Sequence, residues 1–257
     1  MRTVICHYHI FKNSGTSFDT LLENSFGDKH VSFDGPFPYM TVEQDQLEHI
    51  ARRNNEAVSF ASHQIRLPVP VSLDIHFLAA VFIRHPLLRA QSIYRFKQKT
   101  NDGTELSDYA QNVSFNDWLL KCFDSQSQIT HVSNPQTRFL GGTYKQKSLK
   151  RRSKNTMTYD LNQAMRNLES VPLLARTEYF DRDVARFESI TDQHGLKLKF
   201  TKGIMKNTTT SNHTLPVDQR VDAIMAELDD EVQEMLLAAN QQDLVLYNFV
   251  NNKLDRG

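Results

Sequence analysis

Apolar runs alternate with amphipathic segments along the chain, which is the pattern of an α/β protein. Residues 3–10, 57–61, 77–83 and 171–176 are short runs of apolar, β-branched and aromatic residues. Runs of this length and composition predict strands that are buried on both faces of a parallel sheet. Residues 30–33 predict a further, shorter strand.

Helical spacing of apolar residues follows most of these strands. Residues 19–24 and 86–96 each carry an apolar stripe that would face the sheet. Thr41 and Gln44 predict a capping box for a helix that runs to about Arg53. Further helices are predicted over residues 115–123, 160–169, 181–194, 218–228 and 231–250.

These elements predict an α/β fold with a central parallel sheet, flanking helices in a three-layer arrangement and a helix-rich C-terminal half. The chain shows no internal repeat and no low-complexity linker, so we predict a single domain over residues 1–257.

The composition is that of an ordinary globular protein, with 39% hydrophobic residues, 23% charged residues and a formal net charge of zero. No global field draws such a chain to nucleic acid or to a membrane, so neither is expected as a partner. No signal peptide is recognised, and no apolar stretch approaches the roughly 20 residues that cross a bilayer. We therefore expect a cytoplasmic protein, and its oligomeric state stays open.

The turn after the first predicted strand has the composition of an anion-binding site. Residues 11–18 read Phe-Lys-Asn-Ser-Gly-Thr-Ser-Phe and lead into a helix. The N–H groups at a helix start, the helix dipole and the charge of Lys12 all favour a bound anion. The turn is not a Walker A loop, because Lys12 precedes Gly15 instead of standing directly before the Ser or Thr that holds Mg²⁺. Taken alone, it is equally an ordinary connection with a solvated lysine.

A second motif follows the most hydrophobic run of the chain. Arg84 ends this run, and Ser92 stands eight residues later, two turns into the following helix. A guanidinium and a hydroxyl in such positions suit a phosphate, because arginine offers a bidentate fork. Alternatively, Arg84 pairs with a carboxylate and Ser92 faces solvent.

Together the two motifs resemble those of sulfotransferases that use 3′-phosphoadenosine 5′-phosphosulfate (PAPS). Residues 12–18 resemble the loop that binds the 5′-phosphosulfate, and residues 83–94, Ile-Arg-His-Pro-Leu-Leu-Arg-Ala-Gln-Ser-Ile-Tyr, resemble the motif for the 3′-phosphate. Residues 134–141, 174–178 and 243–247 resemble later stretches of one branch, the carbohydrate sulfotransferases typified by the uronyl and heparan sulfate 2-O-sulfotransferases and their bacterial relatives. The resemblance implies a P-loop-like fold and PAPS as co-substrate.

The resemblance also implies roles for individual residues. Lys12 would contact the phosphosulfate bridge and stabilise charge on the leaving phosphate. Arg84 and Ser92 would hold the 3′-phosphate, and His63, which ends a strand between the two motifs, would be the catalytic base. Lys206 lies in a stretch that resembles a loop closing over the nucleotide. The other residues implied in donor binding belong to the turn: Asn13, Ser14, Gly15, Thr16, Ser17 and Phe18.

The histidines also permit a plainer interpretation. An unperturbed imidazole titrates near pH 6.5, so His63 can accept a proton from a sugar hydroxyl, but it is alternatively a structural histidine. The residue before it is Ser62, where the family often has glycine. His7 and His9 share one face of the first strand, yet no third ligand with suitable spacing accompanies them. We therefore favour packing over metal binding for this pair and predict no metal.

The sequence says least about the substrate that would accept the sulfuryl group. Arg66 and Arg138 are candidates for acceptor contacts, and the basic segment at residues 145–154 is either a grip for an anionic polysaccharide or a solvated loop. We predict in-line transfer of a sulfuryl group from PAPS to a hydroxyl of a glycan or polysaccharide, with a histidine base. One alternative is a P-loop-type small-molecule kinase, which the position of Lys12 argues against. Another is a catalytically inactive nucleotide-binding protein with a sulfotransferase fold.

Overall fold

A computed structural model describes residues 1–37, 40–100, 102–142, 159–203 and 215–256. Within them, five strands form one sheet in which every neighbouring pair is parallel. The strands are β1 (Arg2–Tyr8), β2 (His30–Ser32), β3 (Ser59–Ser62), β4 (Ile75–Ile83) and β5 (Leu173–Arg176). Their order across the sheet is β2-β3-β1-β4-β5. The predicted α/β class with a central parallel sheet is confirmed, and each strand boundary lies within two residues of its prediction.

Helices make up most of the remaining described chain. They are α1 (Gly15–Phe26), α2 (Gln44–Arg53), α3 (Pro86–Lys99), α4 (Glu105–Ala110), α5 (Phe115–Asp124), α6 (Pro135–Gly141), α7 (Leu161–Glu169), α8 (Phe180–Asp192), α9 (Val217–Met225), α10 (Asp230–Ala239) and α11 (Gln241–Asp255). Among the residues that the structure describes, none of these helices has the length and apolar character needed to span a bilayer.

The central strand β1 lies between β3 and β4. Tyr8 at its end pairs with Ser62 of β3 and with Val81 of β4, so β1 and β3 end at the same level. The chain leaves β1 toward β2 on one side of the sheet and returns from β3 across β1 to β4 on the other. Adjacent strands whose connections run in opposite directions form the crevice where open α/β sheets bind ligands.

Helices α1 and α8 pack on one face of this sheet. Leu78, Ala80 and Phe82 alternate along β4 and belong to the same buried cluster as Phe18 of α1 and Phe187 of α8. The Phe82 ring centroid lies 5.0 Å from that of Phe18 and 6.1 Å from that of Phe187. Full burial of each such side chain contributes about 1.5–3 kcal/mol. This packing fixes α1, and therefore the turn before it, against the sheet.

The chain divides into two compact units. The first contains Met1–Ile83 with the segments that begin at Met165 and at Lys253, and thus holds the whole sheet. The second contains Arg84–Ala164 with the segment that ends at Asn252, and its described elements are helical. A single domain over residues 1–257 stays a prediction.

The predicted capping box of α2 is wrong by two residues. Val42 forms a parallel bridge with Ile65, and this pairing keeps the chain extended where the helix was predicted to begin. The helix begins only at Gln44, with Glu43 as its N-cap. The N–H of Glu43 donates to the side chain of Gln46 at 3.0 Å, which forms a capping box two residues later than predicted.

The helix predicted over residues 231–250 is also wrong, because it is the two helices α10 and α11. Asn240 separates them and is buried. Its side-chain amide donates to the carbonyls of Leu236 at 3.0 Å and Val132 at 2.7 Å. An asparagine that finds such partners competes with the helical hydrogen bonds and favours a break.

Candidate active site

The turn between β1 and α1 has an unusual backbone. Lys12 has φ 66° and Ser14 has φ 62°, whereas Asn13 between them is not in the positive region. Non-glycine residues rarely adopt this left-handed conformation, and each one costs about 1–3 kcal/mol. Alternation of this kind turns successive N–H groups into one concavity, the arrangement called a nest, which binds anions. The backbone therefore supports the anion site that the composition predicts.

Two sets of hydrogen bonds hold the turn in place. The buried side chain of Asn13 donates from Nδ2 to the carbonyl of Phe82, at the end of β4, at 2.8 Å. The carbonyl of Ser14 accepts from the N–H groups of Ser17 and Phe18, each at 3.1 Å, and these bonds start α1. The turn is thus tied to the sheet on one side and to the helix on the other.

The predicted donor-binding residues of the turn differ in exposure. Lys12 and Ser14 are half-buried, Thr16 is exposed, and Ser17 is buried. Phe18, also predicted in this group, has its side chain entirely in the core against Phe82. The contribution of the Phe18 side chain is therefore to anchor α1.

His63 immediately follows β3 and is exposed. Its Nδ1 lies 2.9 Å from the carbonyl oxygen of His9. Because a carbonyl only accepts, Nδ1 carries the proton of the neutral ring, and Nε2 is left as the basic nitrogen. The backbone N–H of His63 donates to Asp34 Oδ1 at 2.9 Å, which fixes the residue from its other side.

The surroundings of His63 favour its neutral form. Partial desolvation by nearby protein atoms lowers the pKa of the imidazole, and the neighbouring His9 lowers it further, while Asp34 acts in the opposite direction. The hydroxyl of Ser62 donates to Asp34 Oδ1 at 2.8 Å and accepts from the N–H of Gln64 at 3.0 Å. Serine at this position therefore ties the end of β3 to the loop after β2.

The ring of His9 contacts two other imidazoles at this position. The rings of His7 and His9 are stacked, with centroids 5.0 Å apart and planes at 18°. The ring of His63 follows, 3.9 Å from that of His9 and tilted by 36°. Asp19 of α1 lies alongside: its Oδ1 is hydrogen-bonded to Nδ1 of His7 at 2.6 Å, and its Oδ2 lies 3.1 Å from Nδ1 of His9.

Asp19 is the partner for His7 and His9 that the sequence analysis did not find. The three side chains bring their nitrogen and oxygen atoms within 4.8 Å of one another, which is close enough for a metal. However, both carboxylate oxygens already face imidazole nitrogens. Burial alone would raise the pKa of Asp19, but His7 and then His9 lower that pKa well below its usual range. Asp19 is therefore ionised, and it forms a hydrogen-bonded cluster with His7 and His9.

Gly15 connects this cluster to the anion turn. A Cβ atom added at Gly15 would lie closer than 3.0 Å to three atoms of the His9 ring, a separation that real Cβ atoms do not show. The imidazole thus packs directly on the first residue of α1. Through His9, the structure brings the turn and His63 together, as predicted for residues at adjoining strand ends.

Arg66 lies close to His63 along the chain. Its Nη1 donates to the carbonyl of His63 at 2.8 Å and to that of Ile65 at 2.9 Å. The guanidinium is half-buried and holds the backbone that carries the histidine. Its predicted contact with an acceptor stays a prediction.

In the second unit, the amide of Gln136 clamps the backbone of Arg84. Gln136 Oε1 accepts from the N–H of Arg84, and Nε2 donates to its carbonyl, both at 2.9 Å. The carboxylate of Asp243 accepts from the N–H of Gln136 at 3.0 Å and from the N–H and hydroxyl of Thr137, both at 2.7 Å. Two of the later stretches in the resemblance therefore meet. Ser92 is buried within α3.

Arg84, Arg89 and Arg138 lie near one another in the same unit. Arg89 is buried, and burial lowers its pKa to about 10, with Asp243 opposing and Arg138 and Arg84 adding to the decrease. Burial, followed by Arg220 and Arg84, likewise lowers the pKa of His85 to about 4. A buried arginine with half-buried arginines near it is an environment that suits an anion.

Two predicted regions lie outside the described residues: Lys206 and the basic segment at residues 145–154.

Comparisons with known proteins agree with this geometry. The family model described as "Sulfotransferase family" matches residues 2–250, which include elements of both units. An uncharacterized protein of Archaeoglobus fulgidus is 24% identical over 262 aligned residues, with 100% of this chain and 99% of that protein covered.

Proposed function

Since the chain belongs to the sulfotransferase family, we propose that it transfers a sulfuryl group from PAPS to a hydroxyl of a carbohydrate. PAPS is the donor that this family generally uses. The observation that carries the proposal is the position of His63. The hydrogen bond at its Nδ1 leaves Nε2 as the basic nitrogen, and its ring contacts that of His9, which packs on the turn proposed to bind the phosphosulfate.

The donor set of the turn suits a phosphosulfate. The nest, the N-terminus of α1 and the charge of Lys12 would hold its oxygens, and the hydroxyls of Thr16 and Ser17 would add hydrogen bonds. By the family resemblance, Arg84 and Ser92 would hold the 3′-phosphate. The cationic surroundings of Arg84 support that role.

The proposed reaction is an in-line displacement. Nε2 of His63 takes the proton of the acceptor hydroxyl as that oxygen bonds to sulfur. The bond from sulfur to the bridging oxygen breaks, and its electron pair stays on the 5′-phosphate, where Lys12 and the N–H groups of the turn stabilise the charge. A sulfuryl group carries less negative charge than a phosphoryl group, so we propose that these groups suffice without a metal. Arg66 and Arg138 remain our candidates for acceptor contacts.

Calorimetry separates this proposal from a kinase. We expect 3′,5′-adenosine bisphosphate to bind without metal and more tightly than ATP with Mg²⁺. The reverse preference would establish the kinase instead.

A transfer assay with PAPS and a panel of glycans tests turnover. We expect His63→Ala to bind the bisphosphate normally but to transfer little, and Lys12→Ala to lose transfer as well. Full transfer by His63→Ala would remove the histidine from its role as base. Nucleotide binding without transfer to any glycan, even by the unmodified chain, would favour the inactive alternative.

A further inference from the structure

We propose that Asp19 is a positioning residue for His63 and acts on it through His9. This inference rests on the proposed function, because it assigns Asp19 a role in placing the base of that reaction. Asp19 is not part of either motif on which the family resemblance depends.

The first step is the contact by which Asp19 orients His9. A carboxylate only accepts hydrogen bonds, so an oxygen 3.1 Å from Nδ1 of His9 favours the tautomer with its proton on Nδ1. The other oxygen is occupied by His7, which is buried and packs edge-on against Phe18 and Phe82. Because His7 is fixed by the core, Asp19 has one orientation in which it also faces His9.

The second step consists of the two contacts by which His9 orients His63. The carbonyl oxygen of His9 accepts from Nδ1 of His63 at 2.9 Å, and the two rings are in contact, with centroids 3.9 Å apart and planes tilted by 36°. The backbone contact sets the tautomer of His63, and the ring contact sets its plane. The ring of His7 is stacked on that of His9 and restrains it as well.

The third step connects the base to the turn. The His9 ring packs on Gly15, the first residue of α1, and the same ring contacts that of His63. The position of this one imidazole therefore sets the separation between the proposed base and the proposed phosphosulfate site. Asp19, one helical turn after Gly15, is the group that keeps this imidazole from rotating.

The charge of Asp19 fits the same role. The charged and titratable groups that influence His63 are His9, Asp34 and Asp19, and both carboxylates favour its protonated form. During transfer the ring becomes positive beside a second imidazole. An ionised Asp19 stabilises this state, but its principal contribution is geometric, because it contacts His9 and not His63.

Asp19→Asn tests the proposal, with Glu23→Gln as the matched control. Asparagine has the same shape but presents one oxygen and one NH₂, so it cannot accept from both imidazoles. We expect kcat to fall about 10- to 100-fold, the cost of a small misplacement of a catalytic group, with the KM for PAPS unchanged. Glu23 is exposed on the same helix, and its variant is expected to keep the activity of the unmodified chain. An unchanged kcat in Asp19→Asn would overturn the proposal.

NMR of ¹⁵N-labelled histidine gives a readout that does not depend on turnover. In Asp19→Asn we expect His9 to populate the Nε2–H tautomer and the nitrogen shifts of His63 to move, whereas Glu23→Gln leaves both unchanged. Unmoved His63 shifts would refute the coupling, even in a chain that proves to have another activity. If the unmodified chain transfers no sulfuryl group but these shifts move, the proposed function fails and the positioning arrangement stands.

A double variant tests whether Asp19 acts through His9. In a His9→Phe background a ring still covers Gly15, but it has no nitrogen for Asp19 to contact. We expect Asp19→Asn to have no further effect on kcat or on the His63 shifts there. An equal effect in both backgrounds would mean that Asp19 reaches His63 by another route. The same comparison applies if Asp19→Asn alone folds poorly.

Discussion

Gly15→Ala is expected to destabilise the protein although alanine is the better helix former. A methyl group at this position would enter the space of the His9 ring, closer than 3.0 Å to three ring atoms. The ring cannot simply move aside, because it contacts the rings of both His7 and His63 and faces Asp19. The substitution therefore forces the ring, the helix start or both to shift.

The expected cost follows from these contacts. Overpacking of a fixed site costs about 1–3 kcal/mol. Loss of the contact between His9 and the charged Asp19 adds about 1.5–3 kcal/mol. The helix preference of alanine over glycine returns only about 0.5–1 kcal/mol. We therefore expect the free energy of unfolding to fall by about 2–5 kcal/mol.

Urea denaturation of four chains measures this effect: the unmodified protein, Gly15→Ala, His9→Ala and the double variant. In the His9→Ala background the three ring atoms nearest to the methyl group are removed, so Gly15→Ala should be neutral or stabilising by up to about 1 kcal/mol. The sign of the substitution is thus expected to reverse. Equal destabilisation in both backgrounds, or a change below about 0.5 kcal/mol in the unmodified one, would refute the reasoning.

Two further predictions concern the base and the core. The kcat/KM of transfer should rise with pH through the pKa of His63, with a midpoint below about 6.5, because the neutral ring is the base and its pKa is lowered. In His63→Gln, the decrease of kcat/KM at low pH should disappear, and the rate should fall at least about 100-fold. If the decrease at low pH were retained, another group would be responsible for it. Arg176 and Asp183 form a buried ion pair with contacts of 2.8 and 3.0 Å, so Asp183→Asn should lower the free energy of unfolding by about 3–5 kcal/mol in urea. The control is Asp192→Asn, an exposed change at the end of the same helix, which should alter the free energy of unfolding by no more than about 0.5 kcal/mol. Coincident unfolding curves for the two variants would contradict the prediction.

The sheet was predictable because its strands are buried on both faces and so appear as continuous apolar runs. The run at residues 77–83 became β4, and the polar residues that follow β1, β3 and β4 lie where parallel strand ends place them. The turn between β1 and α1 was predictable from composition, but its left-handed residues at 12 and 14 were not, because non-glycine residues give no sequence signal for positive φ.

The role of Asp19 could not be predicted for a different reason. Its distance from His7 along the chain is set by the turn, and the two side chains meet only after α1 packs on the sheet. The nearest signal is a carboxylate one helical turn after Gly15, on a helix whose other face is apolar. The break between α10 and α11 at Asn240 could not be predicted for the same reason, since Val132, whose carbonyl accepts from Asn240, lies far away in the sequence.

The clamp on Arg84 has a consequence for biosynthesis. Gln136 holds both backbone groups of Arg84, and Asp243 holds Gln136. During translation, the arginine and its helix emerge long before Asp243, so a nascent chain carries the residue without the support that fixes it. The proposed 3′-phosphate site at Arg84 would therefore mature only when the last helix is made, and we expect unfinished chains to bind nucleotide weakly.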